Sequence, residues 1–233
     1  MDFMDIQYTS TKTIEPINLQ NKVPDTNNID KEHSRIADHM NLSSICNIQQ
    51  LHKKINNLTD CDLKKKSLNT VIFDGNIESD IMIIGEAPGE QEDKQGRPFC
   101  GQSGKLLDKM FSAIDLSRNQ MYITNTVFWR PPGNRKPTPD EINICLPFVK
   151  KSIALINPRL LILVGGVASG AILQTHTAIS KVRGKYYKYT NEYMNNDIDT
   201  TVIFHPAYLL RQPAQKKVTW EDMKNIKNFL QNT

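Results

Sequence analysis

Residues 81–89 read IMIIGEAPG, an uninterrupted apolar run that passes directly into a turn bounded by two glycines. A short run with apolar side chains at every position is typical of a β-strand that is covered on both faces. In open α/β sheets, ligands bind just beyond the carboxyl ends of such strands. The stretch therefore predicts a buried parallel strand and, at its end, one wall of a binding site.

Further short β-rich runs alternate with helical patterns along the chain. Pro139–Ile156 is the longest helical pattern, and Thr138 in front of it is a suitable N-cap. Strands that alternate with helices indicate a mainly parallel sheet with helices on both faces. We therefore predict the α/β class: a single-domain α/β/α sandwich around a short, mainly parallel central sheet. The predicted strands are Thr70–Phe73, Ile81–Ile84, Tyr122–Thr124, Leu160–Val164 and Thr201–Phe204, and the predicted helices include Gly104–Ile114, Pro139–Ile156, Val167–Leu173 and Thr219–Leu230.

Composition limits the class and setting of the protein. The 233 residues include 29 basic and 25 acidic side chains, a net charge of +4, which permits a polyanionic partner without requiring one. No apolar run reaches the ~18 residues of a membrane span, and the first ten residues lack the features of a signal peptide. Four widely spaced cysteines do not form a secreted disulfide framework. We expect a cytoplasmic monomer with no membrane partner.

The chain divides into three regions by pattern. Residues 1–33 are polar and contain Pro16 and Pro24, which predicts a flexible polar extension. Apolar residues in 34–57 loosely follow one helix face, which predicts an N-terminal helix. The compact domain is expected over residues 58–233.

Three side chains that can take part in binding or catalysis follow the ends of predicted strands. Glu86, Asn125 and His205 each lie at such an end, and the carboxyl ends of parallel strands meet at one edge of a sheet. We therefore expect them to converge in one cleft. Two of these residues also have a purely structural interpretation, Asn125 as a turn residue or cap and His205 as a buried hydrogen-bonded histidine, and the nearby Phe99 can be core filling.

A proline-rich loop carries a cluster of positive charge. Residues 130–137 read RPPGNRKP, which can serve as a rigid linker. Its three cations on a stiff loop also suit contacts to phosphate groups. Together with the strand-end residues, the loop indicates a cleft that faces an anion.

Three motif blocks resemble family 4 uracil-DNA glycosylases. The first comprises GEAPGEQED at 85–93, GRPFCG at 96–101 and GKLLD at 104–108. The second comprises YITN at 122–125 with RPPGNR at 130–135, and the third is HPAYLLR at 205–211. The resemblance covers about residues 58–231, so it implies a uracil-DNA glycosylase-like catalytic domain over 58–233.

The resemblance implies removal of uracil from DNA, which leaves an abasic site and starts base-excision repair. Phe99 matches the aromatic residue that stacks on the extruded base, Asn125 the amide that reads the uracil edge, and His205 the histidine that bonds uracil O2. Glu92 matches a wall that excludes the methyl group of thymine. Related enzymes carry an aspartate for the attacking water where this chain has Ala87, so Glu86, Glu92 or electrostatics alone are the alternatives for water activation. The implied substrate-binding set is Glu86, Ala87, Glu92, Phe99, Asn125 and His205, with His205 and Glu86 as the catalytic candidates.

The resemblance also implies a surface that binds DNA. Leu209, Leu210 and Arg211 match the loop that intercalates where the base has left. Arg130 and Arg135, from the charge of the proline-rich loop, are the further candidates for contacts to DNA phosphates. The predicted partner is uracil-containing DNA. Two other functions are kept open: a glycosylase of the same fold for other deaminated bases, and a non-catalytic damaged-DNA-binding protein.

The chain departs from the family at the positions that hold a 4Fe-4S cluster. The four family cysteines fall on Leu58, Cys61, Trp129 and Cys145, so only Cys61 and Cys145 can ligate. A cluster normally requires four thiolates, and leucine and tryptophan supply none. We therefore expect no cofactor, with apolar packing in place of the cluster.

Overall fold

The structure is a computed structural model that describes residues 42–59 and 61–232. The predicted extension over 1–33 and residues 34–41 of the predicted N-terminal helix lie outside these ranges. In chain order, the described helices and strands are α1 (Ile48–Asn56), α2 (Asp62–Lys66), β1 (Asp74–Gly75), β2 (Ile81–Gly85), α3 (Glu90–Gln95), α4 (Gln102–Ser112), β3 (Tyr122–Asn125), α5 (Pro139–Ile156), β4 (Leu160–Val164), α6 (Gly166–Leu173), α7 (Ile179–Val182), β5 (Tyr186–Tyr189), β6 (Ile198–Ile203), α8 (Pro206–Arg211) and α9 (Lys216–Asn232). Three-residue 3-10 turns lie at 118–120, 132–134 and 213–215.

The sheet is mixed and mainly parallel. Its six strands are ordered β1-β3-β2-β4-β6-β5, with the four central strands parallel and the two edge strands antiparallel to their neighbours. Gly85 at the end of β2 pairs with Asn125 at the end of β3. The parallel strands therefore end at one edge of the sheet, as the sequence predicted.

Helices cover both faces of the sheet. Side chains alternate along β2, so that Ile81 and Ile83 join one apolar cluster while Met82 and Ile84 join the other. Helices α1, α5 and α6 pack on the face of Met82, and helices α4 and α9 pack on the opposite face. This arrangement confirms the predicted α/β/α sandwich. None of the described helices has the length and apolar character that crossing a membrane requires.

The predicted strand at Thr70–Phe73 is wrong. This segment makes isolated hydrogen bonds in place of a ladder: the Val71 N–H donates to the Phe128 carbonyl at 2.8 Å, and the Thr124 hydroxyl donates to the Ile72 carbonyl at 2.6 Å. Pairing is confined to β1, which contributes two residues at the edge of the sheet. Val71 and Ile72 are buried and Phe73 is half-buried, although the backbone of the segment does not join the sheet.

Two further elements, β5 and α1, differ from the sequence prediction. Strand β5 was missed because its sequence, YYKY, is an antiparallel edge strand rather than an apolar run. In the predicted helix over 34–57, the described residues before Ile48 are not helical. The side chain of Asn47 accepts a hydrogen bond from the Gln50 N–H at 2.9 Å, so it caps α1 and fixes the start of that helix.

An ion pair between half-buried Arg183 and buried Asp222 ties the last described helix to the edge of the sheet. Arg183 Nε donates to Asp222 Oδ2 at 2.7 Å, and its Nη2 donates to the Val218 carbonyl at 2.9 Å. The guanidinium also lies 5.4 Å from the ring centre of Phe204, the residue before His205. This contact links α9 to the end of β6, where a predicted site residue lies.

We expect Arg183→Met to lower the free energy of unfolding by about 3–5 kcal/mol, because it removes the guanidinium from a carboxylate that is only 2% exposed. Arg183→Met combined with Asp222→Leu should recover most of this loss. Urea denaturation measures both effects. Lys224→Met, which breaks an exposed pair with Glu221, is the matched control and should cost less than about 1 kcal/mol. Equal losses for Arg183→Met and Lys224→Met would contradict a structural role for the ion pair between Arg183 and Asp222.

Candidate active site

A cleft of about 700 Å³ opens at the carboxyl edge of the sheet. Its volume lies within the ~300–1,000 Å³ that small-molecule sites commonly have. The turn after β2, the end of β3 and the turn after β6 form its floor. The cleft is lined by residues 86–92, 99, 101–103, 125, 134–136, 205, 207–208 and 210–211.

Gly85 allows two predicted site residues to meet over the end of β2. A Cβ atom at this position would overlap both the ring of Phe99 and the carboxamide of Asn125. The Phe99 ring also lies 5.8 Å from the ring centre of His205, at an angle of 30°. The structure thus brings Phe99, Asn125 and His205 together around one cleft.

Asn125 carries a buried donor that the protein leaves without a partner. The residue is 2% exposed, and its Nδ2 has no hydrogen-bond partner among the described residues. A buried donor that makes no hydrogen bond costs about 1–3 kcal/mol of stability. Because this amide lines the cleft, a ligand with an acceptor oxygen can supply the missing partner.

His205 is held as a neutral donor. Its Nδ1 accepts a hydrogen bond from the Ala207 N–H at 3.1 Å, so the neutral ring carries its proton on Nε2. Burial lowers the pKa of His205 to about 4; the charge of Arg211 lowers it further, while Glu92 opposes this shift. The imidazole is therefore uncharged near neutral pH and offers one N–H to a group in the cleft.

Glu92 joins the two loops that form the cleft wall. Its Oε2 accepts from the Gly89 N–H at 3.1 Å, and its Oε1 accepts from the Gly101 N–H at 2.8 Å. Gly89 is the N-cap of α3 and Glu92 its third residue, which is the spacing of a capping box. Both carboxylate oxygens are thus engaged by backbone N–H groups, so Glu92 is less suited than Glu86 to activate a water.

Glu86 and Ala87 lie side by side on the cleft wall. Burial raises the pKa of the Glu86 carboxyl, and the positive charges of Lys136 and Arg211 oppose that shift. Lys136 also lines the cleft, although the sequence indicated it only as one of three cations in the loop. No local pattern distinguishes Lys136 from the other two cations, because its place in the cleft depends on how residues 130–137 fold.

The five predicted DNA-contacting residues do not share one environment. Arg135, Leu210 and Arg211 line the cleft, and Leu210 is 40% exposed. Arg135 donates two hydrogen bonds to Glu141, at 2.8 and 2.6 Å, so its guanidinium already has an anionic partner.

Arg130 and Leu209 lie outside the lining of the cleft. Arg130 donates from Nε to Asn134 Oδ1 at 2.7 Å on the same loop. Leu209 is 1% exposed because the first turn of α8 directs it into the interior, so the expectation that it faces DNA is corrected. Leu210 alone remains as the exposed apolar residue of this loop.

The residues at the family's cluster positions do not fit an iron–sulfur group. Cys61 and Cys145 are buried, and Trp129 is also buried, with its Nε1 donating to Thr70 Oγ1 at 3.1 Å. Leu58 packs against the same apolar cluster. Across residues 42–59 and 61–232, no group of three or more His, Cys, Asp or Glu side chains is placed to hold a metal ion. Two thiols and two apolar side chains offer half of the donors that such a cluster needs.

Comparison with known proteins identifies first the superfamily and then the family to which the chain belongs. The family model described as the Uracil DNA glycosylase superfamily matches residues 72–224, and the chain belongs to this superfamily. The type-4 uracil-DNA glycosylase of Sulfurisphaera tokodaii is 37% identical over 187 residues, which cover 78% of this chain and 84% of the relative. That of Archaeoglobus fulgidus is 36% identical over 183 residues (77% and 91%), and that of Thermotoga maritima is 35% identical over 187 residues (76% and 92%). The resemblance to the type-4 family is thereby confirmed.

We expect His205 to titrate with a pKa near 4 and to carry its neutral proton on Nε2. Long-range ¹H–¹⁵N NMR spectra recorded from pH 8 to about 2.5 measure both, with the resonances assigned through His205→Gln. A midpoint between pH 6 and 7 for His205, or a proton on Nδ1, would contradict the neutral-donor assignment.

Proposed function

We propose that this protein hydrolyses the bond between N1 of uracil and C1′ of deoxyribose in DNA, which releases uracil and leaves an abasic site. The observation that carries the proposal is the buried Asn125 amide, which lacks a partner and faces a cleft shared with Phe99 and His205. Base-excision repair is the expected role. DNA is the partner that the chemistry of the cleft supports, and we propose that the enzyme acts on it as a monomer.

The amide of Asn125 suits recognition of uracil. Its Nδ2 donates to O4 of the base, and its Oδ1 accepts from N3–H. Cytosine has a donor in place of O4 and an acceptor in place of N3–H, so it would leave buried polar groups unpaired. A site built to satisfy such groups rejects the wrong base strongly, since the unpaired groups cost free energy.

Access to the base requires extrusion from the duplex. Phe99 provides a flat apolar surface on which the extruded base stacks, a contact worth about 1–3 kcal/mol. Leu210 is exposed at the rim of the cleft and fills the gap that the base leaves in the helix. Lys136 and Arg211 at the same rim supply positive charge for the flanking phosphates.

Bond cleavage places negative charge on the departing uracil. His205 donates from Nε2 to O2 of the base, where part of this charge collects. A water adds its oxygen to C1′ as the C1′–N1 bond breaks, which leaves a hydroxyl group on C1′. The proton that the water loses neutralises the uracil anion. Glu86, which lines the cleft beside Ala87, is the carboxylate that we assign to orienting this water. Glu92 fixes the cleft wall near C5, where the methyl group of thymine would lie.

A single-turnover assay tests the function. We expect the protein to release uracil from a uracil-containing oligonucleotide, with alkali then cleaving the strand at the abasic site. Asn125→Asp should lower the uracil rate by about 100-fold or more, because the carboxylate cannot donate to O4. The matched control, Asn228→Asp on the exposed face of α9, should retain the rate.

The same assay separates the two alternative functions. Product from hypoxanthine-containing DNA without product from uracil would assign another deaminated base. Binding of uracil-containing DNA without product from either base would assign a non-catalytic damaged-DNA-binding protein. Either result would overturn the proposed activity.

We also propose that the chain functions without an iron–sulfur cluster. The donor set offers two thiols, and Trp129 and Leu58 fill the remaining space with apolar packing. The purified protein, prepared without air, is expected to be colourless and to contain no stoichiometric iron. Elemental analysis and the visible spectrum measure this, and Leu58→Cys with Trp129→Cys is the variant expected to gain iron. A brown wild-type protein with stoichiometric iron would show that other donors complete the site.

A further inference from the structure

Phe99 holds its ring in place with an unusual backbone conformation. Its φ angle is +51°, in the left-handed region that residues with a side chain rarely adopt. Such a conformation persists only where surrounding contacts hold it, and it is common at ligand-binding sites. The contacts that hold the Phe99 backbone therefore control the position of the ring over Gly85.

The carbonyl group of Phe99 is fixed from two sides. A Cβ atom at Gly104 would collide with this carbonyl, so the first turn of α4 packs directly against it. From the other side, Arg118 Nη2 donates a hydrogen bond to the Phe99 carbonyl oxygen, and Arg118 Nη1 donates to the Pro98 carbonyl at 3.1 Å. One guanidinium thus binds two successive carbonyls of the loop.

Arg118 is itself held by two carboxylates. Its Nη1 donates to Asp74 Oδ2 at 2.6 Å, and its Nε donates to Asp108 Oδ1 at 2.8 Å. Asp74 lies in β1 and Asp108 in α4, so the guanidinium connects the sheet edge, a helix and the Phe99 loop. Burial alone would raise the pKa of Asp74, but its bonds to Arg97 and Arg118 outweigh this and lower it. A lysine offers one ammonium group and cannot reproduce this fork of donors.

We propose that Arg118 is a positioning residue that keeps Phe99 in its left-handed conformation and so preforms the surface on which the extruded base stacks. The inference rests on the proposed function, because it assigns a base to the Phe99 ring. Arg118 does not line the cleft and acts only through the loop. Arg97 is a matched control, since it donates to the same Asp74 oxygen at 3.0 Å without a hydrogen bond to the Phe99 carbonyl.

The first test measures the ring without any reaction. In protein labelled with 4-fluorophenylalanine, the resonance of Phe99 is assigned through Phe99→Leu. We expect one sharp ¹⁹F signal in the wild type and in Arg97→Lys, and a broadened or divided signal in Arg118→Lys. An unchanged signal in Arg118→Lys would overturn the positioning role, whatever the protein does to DNA.

The second test measures single-turnover release of uracil, well below the melting temperature of every variant. Arg118→Lys should lower the rate by about 10- to 100-fold, since small displacements of positioning groups have effects of this size. Arg97→Lys should stay within about twofold of the wild type, as expected for an exposed ion pair. In the Phe99→Leu background, Arg118→Lys should cause no further loss.

Equal fold losses in the two backgrounds would show a merely structural role and overturn the inference. Absence of product from the wild type would refute the proposed function instead, and the ¹⁹F spectra would still decide the role of Arg118.

Discussion

The lack of a side chain at Gly85 is the constraint on which the site depends. The end of β2 lies under both the Phe99 ring and the Asn125 carboxamide, and either would be displaced by a single added carbon. Parallel pairing of β2 with β3 sets Asn125 directly beside Gly85. The geometry of the proposed base-recognition site is therefore a consequence of strand register and of one missing Cβ atom, and the loops complete it.

Burial gives both polar groups of the site their chemical character. The same exclusion of water leaves the Asn125 amide without a partner and lowers the pKa of His205, so that the ring stays neutral. The unpaired Asn125 donor costs about 1–3 kcal/mol of stability in the free protein. A ligand that offers an acceptor oxygen to each group supplies the missing partner of Asn125 and accepts the His205 N–H, which favours a base with two carbonyl oxygens over one with an amino group.

Local pattern predicted the centre of the fold, and long-range contacts account for the rest. The central strands and the bounds of Pro139–Ile156 follow from apolar runs and a capping residue, which act within a few positions. The convergence of the site followed from the rule that parallel strand ends share an edge. The inward direction of Leu209 and the contact of Arg118 with Phe99 depend on residues distant in sequence, so no local signal announces them.

The residues at the four family cluster positions lie apart from the cleft, so structural support and the proposed chemistry are separated in this chain. Leu58, Cys61, Trp129 and Cys145 belong to one apolar cluster, on the face of the sheet opposite to Phe99. None of them lines the cleft. Their shared place joins the first helix, α5 and the segment after β3, which is a structural task. Apolar packing performs such a task without electron transfer or bound metal, because it requires only close contact among buried side chains. Replacement of two family cysteines by Leu58 and Trp129 is thus compatible with an intact set of the residues that we propose to bind the base.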